Sequence, residues 1–367
     1  MVRSMYAHDK NYALRQFLKR RANSEAGLSA ADSNVSELID VIEIFDVDKM
    51  KSIIKRYSSK DTLYRNNNRY LDYLDETNGY LPFATIPASI DIKLDKLQLN
   101  FPNFIAIINY YRQQIALSQL AINNAFYACP LLITGPPGVG KTSFCKALAH
   151  VMKTHFEVIG MSGVTAGFVL GGMSSSWSDG KPGKVVESLA RGKISNPLIL
   201  LDEIDKTGEG HRYDPLGSLH QLLETETAVN FIDEGLEVAV NCSKIVWIST
   251  ANDLARIPEP ILSRFEILEV QQPDRLQMYN VLRSIYQKIL IENNWGYKFS
   301  DHLEQNVIDK VICSRLSPRL IKRELISACG RAALSSRRTK EDGECYEISP
   351  DDFRMVNAET REVRMGF

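Results

Sequence analysis

Eight consecutive residues constrain this chain more than any other stretch: Gly135-Pro136-Pro137-Gly138-Val139-Gly140-Lys141-Thr142. They fit the pattern G-x-x-x-x-G-K-[ST] at every position. An apolar run precedes them and a helical stretch opening at Ser143 follows, which is the context the pattern requires. Gly135, Gly138 and Gly140 permit backbone conformations barred to other residues. Successive N–H groups can then converge on a phosphate, helped by the positive end of the helix. Lys141 is placed to reach β- and γ-phosphates, and the Thr142 hydroxyl to ligate Mg²⁺. The motif therefore points to ATP with Mg²⁺.

The flanking pattern says what fold carries such a loop. Short apolar runs at Leu131–Thr134, Phe156–Met161, Leu198–Leu201, Ile245–Thr250 and Glu266–Val270 alternate with helical stretches. That alternation predicts an α/β fold with a parallel, covered sheet. The third run ends in Asp202-Glu203, two carboxylates at the C-terminal end of a buried strand, where open α/β sheets bind ligands. Asp202 is expected to hold Mg²⁺ and Glu203 to polarise an attacking water. Long amphipathic stretches follow, Arg275 to Asn293 and another after Ser317. Residues 1–95 read as a helical, Tyr-rich region, with Asn66-Asn67-Asn68 and Asn78-Gly79 marking loops.

Bulk properties narrow the partners. The 367 residues carry a net charge of −1, so the whole molecule makes no electrostatic case for nucleic acid or an anionic membrane. The basic segment Arg3 to Arg21 lacks an apolar core and reads as a solvated helix face. No stretch approaches the about 20 apolar residues of a membrane helix. The six cysteines are scattered without zinc or redox spacing and read as reduced core thiols, which suits the cytoplasm.

At this point a family resemblance enters. Asn196-Pro-Leu-Ile-Leu-Leu-Asp-Glu-Ile-Asp-Lys206 with Asp214-Pro215, then Ser249-Thr-Ala-Asn252 and Ile257-Pro-Glu-Pro-Ile-Leu-Ser-Arg264, resemble the ATPase module of Lon-type proteases, a branch of the AAA+ ATPases. The resemblance covers roughly residues 100 to 367. It implies a five-stranded parallel AAA+ core over 96–272, a helical lid over 273–367, and the N-terminal region of unknown role ahead of both. It implies further roles. Asn252 matches sensor 1, which orients the hydrolytic water. Arg264 matches the arginine finger that reaches a neighbouring subunit's γ-phosphate. Arg319 matches sensor 2 in the lid, with Arg315 and Arg323 as nearby alternatives. Trp177 falls where a pore-loop aromatic is expected, although Trp177-Ser178-Asp179 departs from the family's aromatic-aliphatic-glycine triplet, which weakens the expected grip. The stretch Gly210-His211-Arg212 is a candidate second pore loop.

The resemblance further implies a homo-oligomer, a hexameric ring with ATP between subunits. The expected function is a motor that hydrolyses ATP to remodel or unfold a protein, with a protein substrate or a separate partner protein as its partner. The sequence ends at Phe367 without the Ser–Lys peptidase that follows a Lon lid, so no peptidase of its own is expected. Two readings of other classes stay open. One is a nucleotide-switched scaffold or nucleic-acid-associated ATPase of the defence or replication type, for which Arg3 to Arg21 is the support. The other is a MoxR-like assembly chaperone.

Overall fold

The computed structural model describes residues 41–354 apart from 75, 122–124, 163–166, 178, 208–213, 215 and 336–344. The basic segment Arg3 to Arg21 and the stretch Gly210-His211-Arg212 lie outside the described residues. In chain order the elements are β1 (Val41–Glu43), α1 (Val47–Arg56), α2 (Thr62–Leu74), β2 (Tyr80–Pro82), α3 (Ile90–Asn100), α4 (Ile105–Gln119), β3 (Leu131–Thr134), α5 (Lys141–Met152), β4 (Phe156–Gly160) and α6 (Lys184–Gly192). There follow β5 (Leu198–Asp202), β6 (Phe231–Asp233), β7 (Val238–Val240), β8 (Val246–Ala251), β9 (Glu266–Glu269), α7 (Arg275–Glu292), α8 (Gln305–Cys313) and α9 (Pro318–Ser335). One-turn helices fill several connections.

The fold is α/β, as expected, with a five-stranded parallel sheet in the order β4-β5-β8-β3-β9. Each predicted strand lies within a residue of its observed bounds. In β5 and β8 the side chains from Leu198 to Leu201 and from Val246 to Ala251 are buried. Burial of successive side chains on both faces is what a covered parallel sheet requires. Among the described residues, no helix is long and apolar enough to cross a membrane.

The described residues pack as two compact units. One comprises the described parts of Met1–Ala88, Tyr111–Leu132 and Met152–Ile267. Its core joins Phe45, Met50, Leu74 and Leu81 with Leu201, Val240 and Trp247, so the N-terminal region shares a core with the sheet. That region is not purely helical. β1 and β2 form an antiparallel pair, and the N–H groups of Ile44 and Phe45 donate to Gly79 O at 2.9 and 3.1 Å. Asn78 and Gly79 have φ of 49° and 83°, the turn their sequence indicated. The Asn66-Asn67-Asn68 loop is overturned: all three lie inside α2. Leu63, Asn67, Tyr70 and Leu74 form its buried stripe, and this helical periodicity outweighs the local preference of asparagine for turns.

The second unit comprises Ser89–Tyr110, Ile133–Val151 and the described part of Leu268–Phe367. Its helices α7, α8 and α9 bury Leu282, Tyr286, Ile289, Val307, Ile321 and Leu325 in one core. Asp274 caps α7 in a capping box with Gln277, satisfying N–H groups that a helix start leaves without partners. Ile348 and Phe353 close the same core. The expected boundary at residue 95 falls inside α3, which packs on α7 in this unit. Phe104 stacks on Phe144 of α5, ring centroids 4.4 Å apart.

The cysteine reading is half corrected. Cys145, Cys242 and Cys329 are buried and outside any disulfide, but Cys129, Cys313 and Cys345 are exposed. Apolar sequence neighbours do not decide which face of an element a residue occupies.

Candidate functional site: a phosphate loop and a carboxylate strand end

The phosphate loop lies in the second unit, between β3 and α5. Gly135, Gly138 and Gly140 have φ of 149°, 82° and 106°, a region that side-chain-bearing residues rarely adopt. Gly135 is also a close approach: a Cβ there would stand 2.1 Å from Val270 O. Val139 is buried and fixes the loop from below. Pro136, Pro137 and Gly138 form its outer arc, and Lys141, Thr142 and Ser143 open α5. The Lys141 ammonium donates to Gly135 O at 2.6 Å and Pro136 O at 3.2 Å, so its charge sits over the loop. This is a site for a polyanion.

Arg319 belongs to the same place. A Cβ on Gly138 would lie 3.2 Å from Ser317 Oγ and 3.6 Å from the Arg319 Cβ. The first turn of α9 therefore borders the phosphate loop, with Arg319 beside Gly138. Arg315 instead takes a positive φ of 52° just before α9.

The carboxylates lie in the first unit, at the end of β5. Thr250 of β8, 1% exposed, organises them. Its hydroxyl donates to Asp202 Oδ1 at 2.5 Å and accepts the Glu203 N–H at 2.9 Å. Glu203 sits at φ 58°, ψ 51°, an uncommon conformation for a residue with a side chain. The Thr250 bond is one of the contacts that hold it there. The Glu203 carboxylate pairs with Lys206. One turn on, the buried Asp205 accepts the N–H groups of Asn252 and Asp253 at 3.1 and 3.2 Å. The strand end that carries Asp202 and Glu203 and the strand end that carries Asn252 are thus locked together.

Arg264 follows a one-turn helix, Glu259–Leu262. Its guanidinium pairs with Glu224 at 2.5 Å and donates to Pro260 O. Trp177 is 60% exposed, on a loop closed by the Met173 N–H donating to Lys181 O at 2.8 Å and the Gly180 N–H to Trp177 O at 3.0 Å. Beneath the loop, Asp233 at the end of β6 accepts N–H groups of Gly183, Gly235 and Leu236.

Comparison with known proteins agrees with these motifs. Residues 131–272 match the AAA family, described as the ATPase family associated with various cellular activities. The chain carries an AAA ATPase domain. Residues of the AAA domain and its flanks are 30% identical to the mitochondrial Lon protease homolog of Drosophila melanogaster over 259 residues, covering 70% of this chain and 23% of that protein. The mitochondrial Lon protease homolog of Homo sapiens is 32% identical over 240 residues, 63% of this chain and 24% of that protein. The Lon protease of Mycoplasma mobile is 35% identical over 164 residues, 45% of this chain and 20% of that protein. The chain thus spans less than a quarter of the length of these relatives. Among solved structures, a chain of Hsp104 in a closed state with ATPγS and casein aligns with a TM-score of 0.53 at 16% identity, covering 72% of this chain and 52% of that one. This agreement is one of fold.

The AAA domain contains site residues that the sequence alone did not single out. Thr250 and Asp205 lie within the motifs quoted for the Lon resemblance, but nothing local marks them as hydrogen-bonding hubs. Glu224 carries no motif signal at all.

Proposed function

We propose that this chain is an ATP-hydrolysing motor that remodels or unfolds protein substrates as a homo-oligomeric, hexameric ring. In this reading the loop from Gly135 to Thr142 holds the phosphates through backbone N–H groups and the Lys141 charge. Thr142 and Asp202 would hold Mg²⁺; both offer the oxygen donors that this ion prefers. When bound, the ion would screen charge on the phosphate oxygens. Glu203 accepts the proton of the attacking water, and Asn252 orients that water. Arg264 donates to the γ-phosphate held by a neighbouring copy, where a fixed fork of donors meets developing charge. Arg319 contacts nucleotide in its own copy.

The observation that carries the protein-handling part is the exposure of Trp177, 60%, on a loop whose base is hydrogen-bonded in place. What supports the reading is that this exposed aromatic stands where the Lon resemblance expects a substrate-gripping side chain, free to meet a polypeptide. The reading of a nucleotide switch on nucleic acid has its support in a segment outside the described residues, so the motor reading is preferred. The test is Trp177→Ala with fluorescein-labelled casein as the unfolded-protein probe. Basal ATPase is expected to stay within about twofold, as Trp177 is not among the residues assigned to nucleotide or to the attacking water, while ATP-dependent casein remodelling is lost. Remodelling that survives the substitution would remove Trp177 from the mechanism.

A further inference from the structure

The N-terminal region has no role in the reading so far, yet one of its helices reaches the Trp177 loop. The Asn66 side-chain amide, on α2, donates to Gly180 O at 3.1 Å and to Gly235 O at 3.0 Å. Gly180 closes the Trp177 loop. Gly235 is in the turn between β6 and β7. One NH₂ group therefore staples two segments far apart in sequence. An asparagine amide has two donors, and both are used here on different segments.

Neighbouring contacts make the staple part of a seam. Asn67, wholly buried, donates to Leu236 O at 3.0 Å and to Leu63 O of its own helix at 3.0 Å. Ser175, two residues before Trp177, donates to Glu237 at 2.7 Å. Helix α2 is itself held by Leu63, Tyr70 and Leu74 in the unit's core. β1 continues into the same hairpin, for Phe45 bridges Val240 and the Asn241 N–H donates to Ile44 O at 2.9 Å. A loop of serines and glycines has little apolar surface to order it. Its geometry depends on these directional bonds.

We propose that helix α2 is the positioning element of the Trp177 loop, acting through the Asn66 amide, so that protein handling by this loop is tied to the N-terminal region. The proposal rests on the motor reading for its consequence, but its structural part stands apart from it. Asn66 touches neither the phosphate loop nor the carboxylates.

The test uses the full chain with Asn66→Asp, which replaces both donors with acceptors at unchanged size, and Asn66→Ala as a second variant. Amide hydrogen exchange in residues 173–183 is expected to quicken more than tenfold, while residues 141–152 of α5 and basal ATPase stay as in the parent. That confinement separates positioning from a general loss of structure. Unchanged exchange over 173–183 in both variants overturns the proposal. For the consequence, KM for fluorescein-labelled casein is expected to rise in Asn66→Asp at unchanged KM for ATP. If Trp177→Ala abolishes remodelling while Asn66→Asp leaves loop exchange and casein KM unchanged, the motor reading stands and the staple falls. If Trp177→Ala is harmless while loop exchange quickens in Asn66→Asp, the staple stands and the loop's role in protein handling falls.

Discussion

At the scale of single residues, Thr250 decides how the carboxylates stand. It gives its proton to Asp202 and takes the Glu203 N–H, so one hydroxyl holds the side chain of the proposed Mg²⁺ ligand and the backbone of the proposed water-activating residue. Thr250→Val keeps the shape and the strand preference but removes both bonds. The expected result is a fall of about 10–100-fold in ATPase kcat, the usual effect of removing a group that orients a ligand to metal. Nucleotide affinity, set mainly by the phosphate loop, should change little. Steady-state ATPase and fluorescent-nucleotide titration check this; equal losses in affinity and turnover would mean that Thr250 supports the phosphate loop instead. The contrast with Lys141 shows what is legible in a sequence. The phosphate loop binds through its own consecutive backbone, so eight adjacent residues declare it. Thr250 and Asp202 are 48 positions apart, and only the adjacency of β5 and β8 brings them together.

At the scale of elements, the hairpin β6–β7 is organised by a buried acid. Asp233 is wholly buried; burial pushes its carboxyl up to about 7, against the pull of the three backbone N–H groups it accepts. A carboxyl raised in the fold above its ordinary value near 3.8 contributes stability that is fully present below about pH 4. That contribution is lost as pH rises through about 7. Its slope is on the order of 1 kcal/mol per pH unit across that window. Asp233→Asn should therefore flatten the decline: urea midpoints of the parent fall between pH 5 and pH 8 relative to those of the variant. Parallel profiles would mean that the three N–H donors keep Asp233 ionised throughout. The sequence hid this acid, since Phe231-Ile-Asp-Glu-Gly235 reads as an ordinary acidic turn. The same holds for Asn66 to Asn68, where local composition pointed to a loop and the buried stripe of Leu63, Tyr70 and Leu74 made a helix. Local preference misleads where a partner far along the chain supplies the burial.

At the scale of the whole molecule, the pairing of Arg264 with Glu224 bears on assembly. Within one copy the guanidinium is already engaged, with Glu224 at 2.5 Å and the Pro260 carbonyl. A finger that acts only on a neighbour is compatible with a local counter-ion in the isolated chain, because the γ-phosphate offers more charge and a bidentate geometry. A mixing experiment separates action in trans from action in cis. In the proposed motor, Arg264→Ala removes the proposed finger but leaves Glu203, and Glu203→Gln removes the proposed water-activating group but leaves Arg264. Each variant alone should be nearly inactive, as loss of a finger costs roughly 10³-fold or more. If copies mix at random in a ring, a site works when its own copy keeps Glu203 and its neighbour keeps Arg264. An equal mixture should then recover roughly a quarter of parental ATPase, the share of such neighbours in a cyclic assembly. If Arg264 serves its own copy, no pairing of the two variants restores a complete site and the mixture stays inactive. The recovered activity should also fall on dilution, since composite sites exist only in the assembly.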